Sequence, residues 1–169
     1  MTLEQASFLA QIISAIAVIA SLVFVGVQLH QATAAIRGSS SQAHSGLYTE
    51  LVRSIIDNGD FARVWSIGLM NPESLAEDEW TRFVAYASAL FRLYESSRVQ
   101  WLNGRLDEEH WHTIERQAVD FGHLPGLRLA WDLRAHWFSP EFRNWFENLA
   151  PSELPRPYRR PPRKRKQAG

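Results

Sequence analysis

Between Glu4 and Arg37 the chain runs for 32 residues without a formal charge, counting His30 as neutral. The centre of that run, Phe8 to Leu29 (FLAQIISAIAVIASLVFVGVQL), holds 22 residues. About 20 residues at 1.5 Å each cross the ~30 Å hydrocarbon core of a bilayer, so the segment has the length of a membrane span. Its polar members Gln11, Ser14, Ser21 and Gln28 carry no charge and are tolerable in a helix surrounded by lipid. Thr2 with Gln5 matches a T-x-x-Q capping box and predicts where the helix starts. Residues 1–37 are thus expected to be a transmembrane anchor helix. Two other readings compete. A buried helix of a soluble core rarely stays apolar on every face for so long. A cleavable signal peptide finds an A-x-A-like site at Ala32-Thr33-Ala34, yet lacks the Lys or Arg expected ahead of its apolar run.

Charge sets the expected orientation. Only Glu4 precedes the span, whereas Arg37 and Arg53 follow it, and basic residues near a span resist translocation. The expected topology is a single pass through the membrane, N-terminus outside and C-terminal domain in the cytoplasm. Within the span Ser7, Ala10, Ser14, Ala17 and Ser21 recur at 3-4-3-4 spacing, and Gln28 continues the row. A stripe of small residues lets two helices approach closely in lipid, so homo-oligomerisation through this face is expected. Equally, Ala and Ser are simply common in such helices.

Residues 38–150 read as an all-α domain of about five further helices, with no alternating strand pattern and no repeat. The anchor helix is predicted to continue to about residue 58 with Leu47, Leu51, Ile55, Val52 and Ile56 at helical spacing and weak points at Gly38 to Ser41. Asn58-Gly59 reads as its stop. A short helix fits Asp60 to Met70 and ends at Asn71-Pro72. A long one fits Leu75 to Leu102, with Ser74 and Glu77 as capping box and three acids in its first turn. Asn103-Gly104 stops it, and Asp107 is placed to cap a helix over 108–122. Pro125-Gly126 reads as a turn before a helix carrying Leu127 to Trp137, and Ser139-Pro140 opens the last one. Seven Trp, nine Phe and four Tyr are expected to fill the gaps between these helices. A membrane-surface role for Trp131, Trp137, Phe138, Trp145 and Phe146 is the second reading.

Catalytic signatures are sparse. The absence of cysteine excludes disulfides, thiol catalysis and Cys-ligated metal sites. No G-x-S-x-G, H-E-x-x-H, Walker A or G-x-G-x-x-G pattern occurs, and the six histidines are scattered. Glu109 and His112, flanked by Glu108 and His110, form one E-x-x-H pair, which Glu95 from the preceding helix is the acid expected to join. A di-metal bundle needs two such pairs and two more carboxylates. The acids are better explained as a solvated first turn favoured by the helix dipole. No cofactor, metal or catalytic residue is expected.

The neutral overall charge hides a division. Residues 1–150 hold 11 Lys and Arg against 17 Asp and Glu, while residues 151–169 hold 7 against 1, so an acidic body of −6 carries a basic tail of +6. The tail combines four prolines between 155 and 162 with Arg159, Arg160, Arg163, Lys164, Arg165 and Lys166. Such composition does not pack a core and is expected to stay extended and disordered. In the cytoplasm it would be drawn to an anionic leaflet at about 1 kcal/mol per basic residue near the surface. Specific nucleic-acid binding is not expected, because nothing supplies base-stacking aromatics on a folded platform.

Four blocks, EQASFLAQIISAIAVIASLVFVGVQLHQATAAIR, NGDFARVWSIGLMNPESLAEDEWTRF, ALFRLYESSRVQWLNGRLDEEHW and FSPEFRNWFE, resemble a group of uncharacterised small bacterial proteins. The resemblance covers about residues 3–147 and lies in the order of the blocks. It implies an N-terminal membrane helix followed by a compact helical domain, and it implies no activity. The chain departs from the group's pattern at Leu75-Ala76, where a Ser-Pro start is usual, and the basic tail lies outside it. The expectation is therefore a membrane-anchored interaction or scaffold module whose protein partner is unknown. A sensor or small-molecule-binding domain is the alternative, and a metal-dependent enzyme using Glu109, His112 and Glu95 the distant third.

Overall fold

The computed structural model describes residues 3–150; the Thr2 cap and the basic tail lie outside them. Among the described residues the chain is all-α, with no strand. Six α-helices follow in order, α1 Leu3–Ile56, α2 Gly59–Met70, α3 Glu77–Leu102, α4 Glu108–Gly122, α5 Pro125–Arg134 and α6 Pro140–Glu147. Two 3₁₀ turns, Pro72–Ser74 and Ala135–Trp137, link α2 to α3 and α5 to α6.

The first helix has 54 residues, about 80 Å of axis at 1.5 Å per residue. It crosses residues 37 and 38 unbroken and keeps its helical bonding through Gly38–Ser41. The ~1 kcal/mol that a helical glycine costs is outweighed by the packing of the next turns on the body. Asn58-Gly59 follows the end of α1 at Ile56, as expected, and also serves the next helix. Its extended backbone starts α2, the Asn58 Oδ1 accepting the Phe61 N–H at 3.0 Å.

The expected capping box at Ser74 and Glu77 is not formed. Ser74 Oγ donates to the Asn71 carbonyl at 2.7 Å and closes the 3₁₀ turn. The long helix α3 starts at Glu77 instead, where Glu79 Oε2 accepts the Ala76 N–H at 3.0 Å. Asp107 stands at the N-cap position of α4 without a side-chain bond, whereas Ser139 does cap α6 through the Phe142 N–H at 3.3 Å. Gly104 ends α3 in the left-handed region, φ +67°.

The long helix α3 is the spine, packed against α1, α2, α4 and α5. Its buried face carries Phe83, Val84, Ala87, Phe91 and Tyr94. Pro125-Gly126 opens α5 rather than forming a free turn, because α5 crosses α2 backbone to backbone. A Cβ on Gly126 would lie 1.8 Å from the Gly68 carbonyl oxygen, and one on Gly68 would lie 2.4 Å from the Phe83 ring. Only glycine fits either position. Trp131, Phe138, Phe142 and Phe146 close the core from α5 and α6, Trp131 and Phe146 having centroids 4.5 Å apart. Of the five aromatics considered for a membrane surface, Trp137 alone is exposed.

Candidate functional site at the junction of the long helix and the body

The long helix divides into a half whose apolar window is exposed and a half that packs one face against the body. Its apolar window is 0 % buried, with Ile13 and Leu22 about two-thirds exposed. That excludes the reading of a core helix within this chain and leaves, among the described residues, one helix long and apolar enough to cross a membrane. Ser7, Ser14, Ala17 and Ser21 are exposed along it, while the Ala10 side chain lies outside the described set. Ser21 Oγ donates back to the Ala17 carbonyl at 2.8 Å, and Thr33 Oγ1 to Leu29 at 2.9 Å. These hydroxyls are satisfied within the helix.

The second half lies antiparallel to α3. Tyr86 donates its hydroxyl to the Leu51 carbonyl at 3.0 Å, His44 Nδ1 meets Ser97 Oγ at 2.6 Å, and Arg37 Nε donates to the Gly104 carbonyl at 2.9 Å. Arg37, His44 and Leu51 recur every seven residues, with Ser41 and Ile55 four residues on, which is a helix-on-helix seam. Leu47 and Ile56, grouped with that face from sequence, are exposed instead. The polar seam residues escape apolar periodicity; Arg37, Ser41 and His44 at 4-3 spacing leading into Leu51 are their signal in the sequence.

His44 is the chemical centre of the seam. Ser97 Oγ donates to the Leu93 carbonyl at 2.7 Å, so its proton is committed, and both bonds are met at once when His44 Nδ1 carries a proton. The His110 ring stands edge-on to His44 at 5.3 Å between centroids. Burial, and then the neighbouring His110, lower the His44 pKa to about 4. Ser41 Oγ and His110 Nε2 are buried beside it without a hydrogen-bond partner. The seam is built for a neutral imidazole.

The metal candidates do not converge. Glu95 is spent on holding the α5–α6 connection, accepting the Ser139 N–H at 2.8 Å and pairing with Arg92 at 2.7 Å. His112 pairs along its own helix with Glu115 at 3.1 Å and Glu108 at 3.7 Å. Among the described residues no group of three metal-ligating side chains forms. The tail residues Arg159, Arg160, Arg163, Lys164, Arg165 and Lys166 lie outside the described residues.

At the far end of the body, beside the α2–α5 crossing, two adjoining hollows of about 430 and 380 Å³ share Pro72, Glu73 and Leu129. They form one shallow groove with Pro125 at one end and Leu75, Glu77 and Trp80 at the other. No family model, curated protein or solved structure matches the chain.

Proposed function

We propose that the chain is a single-pass membrane-anchored interaction module of the bacterial inner membrane, N-terminus outside and helical body in the cytoplasm. One observation supports the reading: a single unbroken helix is exposed over its apolar window and packs one face, centred on His44, against α3 further on. Anchor and body thereby share one helix, with only about eight residues, 12 Å of helix, between Leu29 and the first body contact at Arg37. Cleavage at Ala32-Thr33-Ala34 would cut the middle of this helix, which speaks for a retained anchor over a signal peptide. Orientation rests on Arg37 and Arg53 following the span. The basic tail adds a second, salt-sensitive attachment to the anionic leaflet.

The test is carbonate extraction of membranes from cells carrying a C-terminal reporter that works only in the cytoplasm. The expected result is full-length protein in the pellet with an active reporter. Release by carbonate, or a shortened product outside the cell, overturns the anchor. A pelleted protein with a silent reporter overturns the orientation alone.

A further inference from the structure

The body ends beside its own groove. Ala150, the last described residue, is fixed by His123, whose Nε2 donates to the Ala150 and Leu149 carbonyls at 2.9 and 3.1 Å. His123 Nδ1 accepts from Arg128 at 3.1 Å, so the ring is held in one orientation. Two residues on from His123, no more than about 7.6 Å between Cα atoms, stands Pro125 at the end of the groove.

The groove has a definite chemistry. Pro72, Leu129 and Trp80 line it, and Trp80 is stacked on Phe83 at 5.5 Å and 16°. That stacking fixes the indole while leaving the side chain half-exposed. Glu73 and Glu77 stand exposed on its rim, and neither has an ion pair among the described residues. A fixed aromatic in an apolar channel edged by carboxylates suits an extended proline-rich strand carrying arginines: polyproline II segments lose little entropy on docking, and their rings lie on aromatic faces.

We propose that this groove takes the chain's own segment Leu154–Lys166 (LPRPYRRPPRKRK), prolines on the apolar floor and arginines against Glu73 and Glu77. The segment begins four residues after Ala150, about 12 Å of extended chain, and its 13 residues run a further 40 Å at about 3.1 Å each. Length is therefore ample. The opposed charges of tail and body, +6 and −6, favour the same docking. Because the arginines are those that would meet an anionic leaflet, groove and leaflet compete for one segment. Docking in the groove withholds the tail from the membrane and covers a surface open to a partner.

The test uses the full chain in nanodiscs of zwitterionic lipid, with a photoreactive phenylalanine analogue in place of Leu129. Equal amounts of isotopically light and heavy protein are mixed, so that links within and between chains are separated by mass. The expected result is a link within one chain from position 129 to residues 154–166. The double substitution Glu73→Gln, Glu77→Gln, on the exposed rim, should reduce its yield at least five-fold, and 0.5 M salt should do likewise. Links only between chains, to another region or to lipid overturn the proposal, as does a yield unmoved by the rim substitutions. Failure here leaves the anchor untouched, since carbonate extraction reads residues far from the groove.

Discussion

His44 is a titratable ring placed where only its neutral form fits. Its folded-state pKa of about 4 lies below the ordinary value of 6.5, so on acidification the unfolded chain takes up the proton first. The stability that His44 contributes is complete above pH 6.5 and is lost as pH falls from there through 4, to a total of about 3 kcal/mol. Denaturant unfolding at pH 7.5 and pH 4.5 in one detergent measures it. A His44→Gln variant, able to keep a hydrogen bond to Ser97, should lose that part of the pH dependence. An identical pH slope in the variant would show that the sensitive group lies elsewhere. None of this was visible in the row of letters, where His44 is one of six scattered histidines. Its role depends on Ser97 and His110, 53 and 66 positions away in the chain.

The elements were largely legible, because each is punctuated locally. Ser139-Pro140 capped α6 as expected, Gly104 ended α3 with a positive φ, and the acidic turn at Glu77–Glu79 marked the start of α3 to within two residues. A local signal can serve two neighbours. Asn58-Gly59 reads as the end of α1, which stops at Ile56, and the structure uses it also as the cap of α2. Pro125-Gly126 reads as a turn, yet its glycine is required by the Gly68 backbone of another helix. On α1 the small-residue stripe and the seam to α3 point in nearly opposite directions, about 160° apart at roughly 100° per residue. A pair of chains meeting through Ser7, Ala10, Ser14, Ala17 and Ser21 would therefore carry the two bodies outward, clear of one another. The proposed self-association thus meets no steric barrier from the body. Ser14→Leu with Ser21→Leu should reduce disulfide-free crosslinking between chains in the membrane several-fold; an undiminished dimer band would assign the contact to another surface.

At the scale of the whole molecule, the boundary between anchor and body is where sequence and structure differ most. Charge places it at residue 37, whereas packing makes residues 37–56 part of the body although they belong to the anchor helix. This predicts how fragments behave. A chain of residues 31–150 keeps the seam and should be water-soluble, helical and cooperatively unfolding. A chain of residues 57–150 loses the Arg37, His44 and Leu51 contacts and uncovers the facing side of α3, including Ser97. It should melt about 10 °C lower or aggregate, since 2–3 kcal/mol shifts the midpoint of a domain this size by that order. Circular dichroism melts of the two fragments decide it; equal midpoints would mean the body is complete without α1.

The sequence alone determined that the protein is all-α and that one helix near its start is long and apolar enough to cross a bilayer. It also determined that an acidic body precedes a basic, proline-rich tail. Those features follow from local periodicity, capping and summed charge, which need no knowledge of what lies far away in the chain. Tertiary structure alone decided which face of the apolar helix seats the body, and that a neutral histidine sits on the seam. It also decided that Glu95 and His112 face different partners rather than one metal, and that Pro72, Trp80 and Leu129 line a common groove. Each of these is a meeting of residues brought together by helix crossings, and a crossing is set by which side chains pack at the contact rather than by the signals along either helix.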